Sequence, residues 1–364
     1  MPERLKDIFF TEESLNKFGD NIQKYYPEFV RDKFLSLVFD ERWDSRELKE
    51  KMRHVTICLG QTLPENFAEA LEILKKIAPV VKGFEAMVLP DFVDLYGLEE
   101  WDLSLPALAY FTKFSSSEFA IRPFLARDPQ RAMAYMLKLA GDENENVRRF
   151  ASEGCRPRLP WAKALPEFKK DPAPILPILE KLKDDESEFV RRSVANNLND
   201  ISKDHPDLAL DICERWYGKS EKTDWIVKHA CRSLLKAGNK RALLLFGHGD
   251  PAAMSVAKLK LEKKITVIGE DLRFSFQLVN AGKKAAKLRL EYAIDYKKAS
   301  GKTSRKIFKI SENHYRPGEH FFSRKHSFAD MSTRKHYPGK HRLSILVNGE
   351  EKASVTFEVK KPVN

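Results

Sequence analysis

The chain has 364 residues, of which 42% are hydrophobic and 32% are charged, a balance typical of a folded protein rather than a disordered one. No run of about 18 apolar residues occurs, so we expect no transmembrane helix. The charged N-terminal stretch "MPERLKDIFFTEESL" argues against a secretion signal. The four cysteines are far apart in the sequence: Cys58, Cys155, Cys213 and Cys231. We therefore expect neither disulfides nor a zinc site, and we expect a cytoplasmic location.

The net charge of +11 is concentrated in the last part of the chain. Residues 262–364 contain 23 Lys+Arg against 11 Asp+Glu, whereas residues 1–261 contain 41 basic and 42 acidic residues. A basic region of this kind indicates a polyanionic partner such as nucleic acid, although lysine-rich surfaces also serve solubility alone.

Residues 1–248 have apolar side chains at three- and four-residue spacing, as in "FAEALEILKKIAPVVKGF", which predicts amphipathic helices. Capping boxes indicate helix starts at Ser115–Glu118, Asp142–Glu145 and Asp185–Glu188.

The same region contains four variants of one pattern: "SSEFAIRPFL", "ENVRRFASEG", "SEFVRRSVANNL" and "DWIVKHACRSLL". Aligning Ala120, Val147, Val190 and Val227 gives steps of 27, 43 and 37 residues. Units of about 40 residues with paired helices are typical of HEAT-like repeats, which stack into a solenoid with a concave binding face. We therefore predict a mainly α protein built on a HEAT-like helical-repeat solenoid over residues 1–248.

Residues 262–364 alternate apolar and polar side chains, and turns are indicated by Pro-Gly and Asn-Gly pairs such as Asn348-Gly349. About seven short strands in about 100 residues predict a small all-β immunoglobulin-like sandwich. The intervening residues 249–261 are predicted to be a linker.

Basic residues recur at equivalent repeat positions and should therefore lie on one face of a solenoid. A stripe of this kind would contact DNA phosphates, although a single member could equally belong to a solvated surface. The stripe consists of Arg148, Arg149, Arg191, Arg192 and Lys228.

The stretch "VRRFASEGCRPRLPW" places Glu153 one helical turn after Arg149, close to Arg156 and Arg158. It also places this carboxylate at the negative end of a helix, which is unfavourable without compensation. One interpretation is a surface salt bridge to Arg149 or Arg156. The other is a carboxylate directed at a developing positive charge.

Three further side chains have two interpretations each. Trp161 follows two prolines and is either a core residue or a stacking platform for a base or sugar. Glu118 is either the acidic member of its capping box or a functional carboxylate. Asp200 could cap a loop, bind Arg192 or serve the site.

Hydrolase and nucleotide-binding motifs such as GxSxG, HExxH and GxGxxG are absent from the sequence. No metal or cofactor is expected, since the spacing of the five C-terminal histidines matches no metal site and suggests surface residues: His314, His320, His326, His336 and His341.

The segments "SSEFAIRPFL", "VRRFASEGCRPRLPW" and "VRRSVANNLNDISKDHP", followed by a β-domain, resemble the AlkC-type members of the AlkD/AlkC superfamily of HEAT-repeat alkylpurine DNA glycosylases. The resemblance implies a monofunctional DNA glycosylase that hydrolyses the N-glycosidic bond of 3-methyladenine and 3-methylcytosine in duplex DNA without base flipping. It implies that Glu118, Glu153 and Asp200 are the catalytic carboxylates and that Trp161 contacts the lesion nucleotide. The DNA backbone would then be held by Arg149, Arg156 and Arg192.

Further contacts to DNA are expected from Arg158 and from four lysines of the β-domain, Lys283, Lys284, Lys297 and Lys298. We expect a monomer that associates with the nucleoid when it is bound to alkylated DNA. The alternative function is a non-catalytic HEAT-repeat scaffold for nucleic acid or protein, which would not need Glu153 or Asp200.

Overall fold

The computed structural model describes residues 8–249, 251–330 and 335–362. The chain divides into two compact units, Met1–Ala230 and Cys231–Asn364. Within the described residues, no helix is long and apolar enough to cross a membrane. The helices of the first unit are α1 (Glu12–Tyr25), α2 (Arg31–Val38), α3 (Leu48–Gly60), α4 (Phe67–Ile77), α5 (Val88–Tyr96), α6 (Trp101–Phe111), α7 (Arg122–Arg127), α8 (Pro129–Leu139), α9 (Glu145–Gly154), α10 (Pro166–Lys170), α11 (Leu176–Leu182), α12 (Glu188–Ile201), α13 (Pro206–Trp216) and α14 (Glu221–Ala230).

Equivalent helices of the sequence repeats are neighbours in the fold. Helix α9 packs against α12, and α12 packs against α14. The aligned residues Val147, Val190 and Val227 have no exposed surface, so the apolar position that defines the repeat is the position that fills the core. The predicted HEAT-like helical-repeat solenoid is therefore confirmed.

The first variant of the repeat pattern departs from the others. Residues 118–121 form a turn, and α7 begins only at Arg122, with Pro123 in its first turn. Proline is favoured there because its missing N–H has no helical partner to lose. The predicted capping box at Ser115–Glu118 is therefore wrong.

The other two predicted boxes lie at helix starts but have a different geometry. Asp142 and Asp185 accept hydrogen bonds from the backbone N–H groups of Asn144 and Ser187, two residues further on. Asn144 and Ser187 are the residues that precede α9 and α12. The aspartates thus form turns that lead into the helices. Asp185 also accepts hydrogen bonds from Arg148 of the preceding repeat.

The described residues of the second unit form two short α-helices followed by eight strands in two sheets. The elements are α15 (Arg232–Lys236), α16 (Lys240–Leu245), β1 (Met254–Leu261), β2 (Ile265–Val267), β3 (Asp271–Asn280), β4 (Ala286–Lys297), β5 (Thr303–Tyr315), β6 (Gly318–Ser327), β7 (Gly339–Val347) and β8 (Glu350–Lys360). One sheet has the strand order β1-β3-β6, and the other has the order β2-β8-β7-β4-β5.

All strand pairs are antiparallel except β2 with β8. Alternate side chains of the strands form one apolar core that includes Phe276, Leu290 and Ile345. The predicted immunoglobulin-like sandwich is confirmed, with eight strands rather than about seven. Buried apolar side chains at every second position explain why the alternation was visible in the sequence.

The domain boundaries differ from the predicted ones. Strand β1 occupies residues 254–261, within the segment 249–261 that we interpreted as a linker. In "MSVAKLKL" the alternation changes phase between Val256 and Leu259, where the pairing of β1 with β3 has a register shift, and this change weakens the signal. In addition, α15 and α16 belong to the second compact unit rather than to the first.

We expected all five histidines of the sandwich to lie at the surface, but three of them do not. His326, His336 and His341 are buried, and their rings lie within about 6 Å of Tyr296, centroid to centroid. The two nitrogens of the His326 ring lie 2.9 and 2.6 Å from the hydroxyls of Tyr292 and Tyr296. Three of the five histidines are therefore core residues.

Candidate active site

Three carboxylates and two arginines form a continuous chain of alternating charge in the helical unit. The order is Glu118, Arg149, Glu153, Arg156 and Asp200, and each neighbouring pair is an ion pair. The carboxylates come from the turn before α7, from the last turn of α9 and from α12. The three predicted catalytic residues are therefore brought together, although they are far apart in the sequence.

Glu153 is buried, with 6% of its surface exposed, and both its oxygens accept hydrogen bonds. Oε1 accepts from Arg156 Nη1 at 2.6 Å and lies 3.8 Å from Arg149 Nη2. Oε2 accepts from Ser193 Oγ at 2.6 Å, and Ser193 in turn accepts from Ser152 Oγ at 2.7 Å. The salt bridges that we considered exist, but they are buried, and they hold the Glu153 carboxylate in one orientation.

Asp200 is joined to Glu153 through Arg156. Its Oδ2 accepts from Arg156 Nε at 3.0 Å, and its Oδ1 accepts from Lys203 Nζ at 3.0 Å. The alternative partner Arg192 binds Glu188 instead. Burial by itself would lower the pKa of Arg156, but the charges of Glu153 and Asp200 outweigh it and raise that pKa.

Glu118 has one oxygen engaged and one without a partner among the described residues. Oε1 accepts a hydrogen bond from Arg149 Nη1, whereas the buried Oε2 has no hydrogen-bond partner there. The guanidinium of Arg149 also lies over the ring of Phe189, 4.4 Å from its centroid. Burial lowers the pKa of Arg149. Glu118 is thus a buried member of the chain of carboxylates and arginines rather than a helix cap.

Trp161 is at the surface, with 62% of its area exposed, so the interpretation of this residue as a core tryptophan is wrong. Its backbone has φ +64°, a left-handed conformation that is unfavourable for a bulky side chain by roughly 1–3 kcal/mol. The carbonyl oxygen of Trp161 accepts a hydrogen bond from Lys49 Nζ at 2.7 Å. The exposed indole is therefore carried by a strained backbone that a hydrogen bond from Lys49 holds in place.

Arg122 holds the loop that joins α9 to Trp161. Its Nη1 donates to the carbonyls of Gly154 and Arg156 at 3.1 and 3.0 Å, and its Nε donates to the carbonyl of Lys163 at 2.7 Å. Burial lowers the pKa of Arg122 to about 10. Because a cation at the C-terminus of a helix offsets its negative end, Arg122 and Arg156 supply the compensation that Glu153 requires.

The predicted basic stripe is divided by the structure. Arg148 donates to the carbonyls of residues 142 and 143, and Arg191 donates in the same way to those of residues 185 and 186. Arg148 also forms a bidentate pair with Asp185, at 2.7 and 3.0 Å. These two arginines therefore clamp the turn before their own helix, and Arg148 additionally joins two repeats.

The other predicted DNA contacts are more accessible. Arg192 and Lys228 are exposed. Arg158 pairs with Asp204, which raises the pKa of Arg158 through their hydrogen bonds.

The four lysines of the sandwich are not brought together. Lys283 and Lys284 precede β4, whereas Lys297 and Lys298 lie at its other end. A strand of 12 residues spans about 40 Å, so a contact through all four lysines would extend along the whole strand.

Several residues of the site were not predicted. Ser193 occupies the repeat position of Phe150, and a hydroxyl at a position that is apolar in the neighbouring repeat was a usable signal. Arg122 and Lys49 gave no signal in the sequence, because they bind backbone carbonyls of residues far along the chain. Arg122 binds the carbonyl of Lys163, 41 residues away, and Lys49 binds that of Trp161, 112 residues away. Among the described residues, no group of three or more His, Cys, Asp or Glu side chains could hold a metal ion.

Comparisons with known proteins agree with this architecture. Residues 110–234 match the family model of the DNA alkylation repair enzymes, and residues 255–361 match the model described as "Uncharacterised protein YhaZ, C-terminal Ig-like domain". The YhaZ protein of Bacillus subtilis (strain 168) is 48% identical over 356 residues, which cover 98% of this chain and 99% of that protein.

Among solved structures, the Pseudomonas fluorescens alkylpurine DNA glycosylase AlkC, bound to DNA containing an abasic site analog, superposes with a TM-score of 0.92. It shares 40% sequence identity and covers 98% of this chain and 100% of its own. The chain therefore belongs to the AlkC-type family of HEAT-like-repeat DNA alkylation repair proteins, in the AlkD/AlkC superfamily.

Proposed function

We propose that the protein is a monofunctional DNA glycosylase that removes cationic N3-alkylated bases, 3-methyladenine and 3-methylcytosine, from duplex DNA. The observation that supports this most is the buried chain of three carboxylates joined by Arg149 and Arg156, in a chain that belongs to the AlkC-type family. A scaffold would have no need to bury three acidic side chains, which costs free energy unless each charge is compensated.

The chemistry suits fixed carboxylates. An N3-alkylated base carries a positive charge, so it takes the electron pair of the N-glycosidic bond and leaves as a neutral base without being protonated. The sugar approaches an oxocarbenium ion as that bond breaks, and a preorganised negative charge nearby stabilises it. Water then adds to the anomeric carbon and loses a proton.

The hydrogen bonds suggest different roles for the acidic residues. Glu153 accepts from Arg156 and Ser193 through both oxygens, so we assign to it the electrostatic stabilisation of the sugar. Glu118 Oε2 has no partner among the described residues, so we assign to Glu118 the orientation of the attacking water. Asp200 fixes Arg156 and adds negative charge.

Trp161 would contact the lesion nucleotide. Its indole is exposed rather than enclosed, which suits a nucleotide that stays in the duplex instead of being flipped into a pocket. The exposed Arg192 and Lys228 would contact phosphates, together with Arg158 and lysines of the sandwich. We expect the protein to act on DNA as a monomer.

The direct test is to incubate the protein with duplex DNA containing 3-methyladenine or 3-methylcytosine and to measure the released base by mass spectrometry. The proposal predicts free methylated base and an abasic site without strand cleavage. Unmethylated duplex and Glu118→Gln protein are the controls. If the protein binds the methylated duplex but releases no base, the glycosylase proposal is wrong and the scaffold function is favoured.

A further inference from the structure

The loop that carries Trp161 lacks close packing on one side. Ala162, Lys163 and Ala164 line a cavity of about 540 Å³, whose other walls include Met52 and Phe119. A chain segment beside an open cavity forgoes the dispersion contacts that normally fix a loop. Its position therefore depends in part on hydrogen bonds.

Most of the side-chain hydrogen bonds to the backbone of this segment come from one residue, Arg122. Arg122 is 5% exposed and donates to three carbonyls, those of Gly154, Arg156 and Lys163. The first two flank the C-terminus of α9, which carries Glu153, and the third lies two residues after Trp161. A planar guanidinium can hold several acceptors at once in a fixed geometry, which a lysine ammonium on a flexible stem cannot reproduce.

Lys49 adds a second support from a distant helix. Its ammonium donates to the carbonyl of Trp161 at 2.7 Å and lies over the ring of Phe119, 4.8 Å from the centroid. This bond acts on the residue whose φ of +64° is strained. Strained backbone persists only where the surroundings over-determine it.

We propose that Arg122 and Lys49 are positioning residues that set the indole of Trp161 relative to the Glu153–Arg156 pair. The inference rests on the proposed glycosylase function. Neither side chain touches the reacting atoms in this account: Arg122 fixes the two ends of the loop, and Lys49 holds the backbone of Trp161 itself.

The position of the indole is measured first by 19F NMR of protein labelled with 5-fluorotryptophan. The five tryptophans give five resonances, and the Trp161 resonance is identified by its loss in Trp161→Phe. Lys49→Met and Arg122→Lys should shift or broaden that resonance and leave the other four unchanged. Lys163→Met is the matched control, because it removes a charge from the same cavity wall, and should leave all five in place.

Excision is measured second, at saturating enzyme. Lys49→Met should slow single-turnover excision by about tenfold, because the indole is placed less accurately on the lesion nucleotide, with undamaged-DNA affinity changed by less than about twofold. Lys49→Arg should restore most of the rate. In a Trp161→Ala background, Lys49→Met should have an effect of less than about twofold, since it acts through the indole.

The two measurements separate the possible failures. An unmoved Trp161 resonance in both Lys49→Met and Arg122→Lys would overturn the positioning role, whatever the enzyme does. Full additivity of Lys49→Met and Trp161→Ala would also overturn it. A shifted resonance in a protein that releases no base would instead leave the positioning intact and refute the glycosylase function.

Discussion

Arg156 donates through Nη1 to Glu153 Oε1 at 2.6 Å and through Nε to Asp200 Oδ2 at 3.0 Å, so that one buried guanidinium joins α9 to α12. The sequence spacing between Glu153 and Asp200 does not reveal this link. It has consequences for stability as well as for chemistry, because each carboxylate depends on the same cation.

Removing that cation should be strongly destabilising. Arg156→Met leaves Glu153 and Asp200 buried with less compensation, and breaking a buried pair in this way costs about 3–5 kcal/mol of the free energy of unfolding. Urea denaturation measures it. Arg158→Met, in the same loop but with its partner Asp204 partly exposed, should cost less than about 1 kcal/mol. Equal losses for the two variants would contradict the central role of Arg156.

Trp161→Gly should keep or slightly raise stability while excision is lost. Glycine adopts the left-handed conformation without strain, and the indole is 62% exposed, so little burial is forfeited. Thermal unfolding and a single-turnover assay check the two parts. Trp101→Ala is the comparison, since that tryptophan is buried and its truncation should cost about 3–5 kcal/mol. A similar loss for Trp161→Gly would show that the loop depends on the indole for its fold.

The clamp between repeats should be visible in the pH dependence of stability. Burial by itself would raise the pKa of the Asp185 carboxyl. The hydrogen bonds from Arg148 and from the N–H of Ser187, together with the charges of Arg148 and Arg191, outweigh it and lower that pKa below its ordinary value of 3.8. A lowered folded-state pKa contributes stability above the unfolded value and loses it as the pH falls through the folded value.

Arg148→Met should therefore cost about 2 kcal/mol at pH 7, and this difference from the wild type should shrink below about pH 4. Urea unfolding at several pH values measures it. Arg192→Met, on the equivalent helix but exposed, should stay within about 0.5 kcal/mol of the wild type. A pH-independent difference for Arg148→Met would refute the role of the Asp185 pair.

For stability we expect Arg148 to matter and Arg192 not to, whereas for DNA binding we expect Arg192 to matter and Arg148 not to. Arg192→Gln and Lys228→Gln should each reduce the slope of log affinity against log salt concentration by about 0.9, because each removes one phosphate contact. Arg148→Gln should leave that slope unchanged, since its guanidinium is committed to Asp185 and to two carbonyls. A reduced slope in Arg148→Gln would show that Arg148 also contacts a phosphate, as the sequence predicted for the whole basic stripe.

The sequence was sufficient for the architecture because periodicity reports burial directly. Helical spacing, the recurrence of Val147, Val190 and Val227, and alternation in the last hundred residues each correspond to a buried face. The predicted domain boundary was wrong at β1, where the alternation changes phase at a register shift between Ala257 and Lys260. Residue types in "VRRFASEGCRPRLPW" also indicated a candidate site, and Glu153 lies in the buried chain of carboxylates and arginines.

The sequence did not reveal which groups each charged side chain would bind within the fold. Repeat equivalence predicts which face a side chain shares, but not what it binds: Arg149 joins Glu118, whereas its counterpart Arg192 is exposed. Donors to backbone carbonyls, such as Arg122 and Lys49, have no residue-type signature at all, because every residue offers a carbonyl. Such contacts depend on tertiary structure alone.

If the Glu153 carboxylate stabilises the sugar during bond cleavage, as we propose, Glu153→Gln should remove that stabilisation. The amide has the same shape, can accept from Arg156 through its oxygen, and faces a Ser193 hydroxyl that can itself accept a hydrogen bond, so the fold should be retained. We predict that single-turnover excision of 3-methyladenine falls by at least about 100-fold while the affinity for duplex DNA stays within about threefold. An unchanged excision rate in a folded, DNA-binding Glu153→Gln protein would show that the Glu153 carboxylate does not stabilise the sugar.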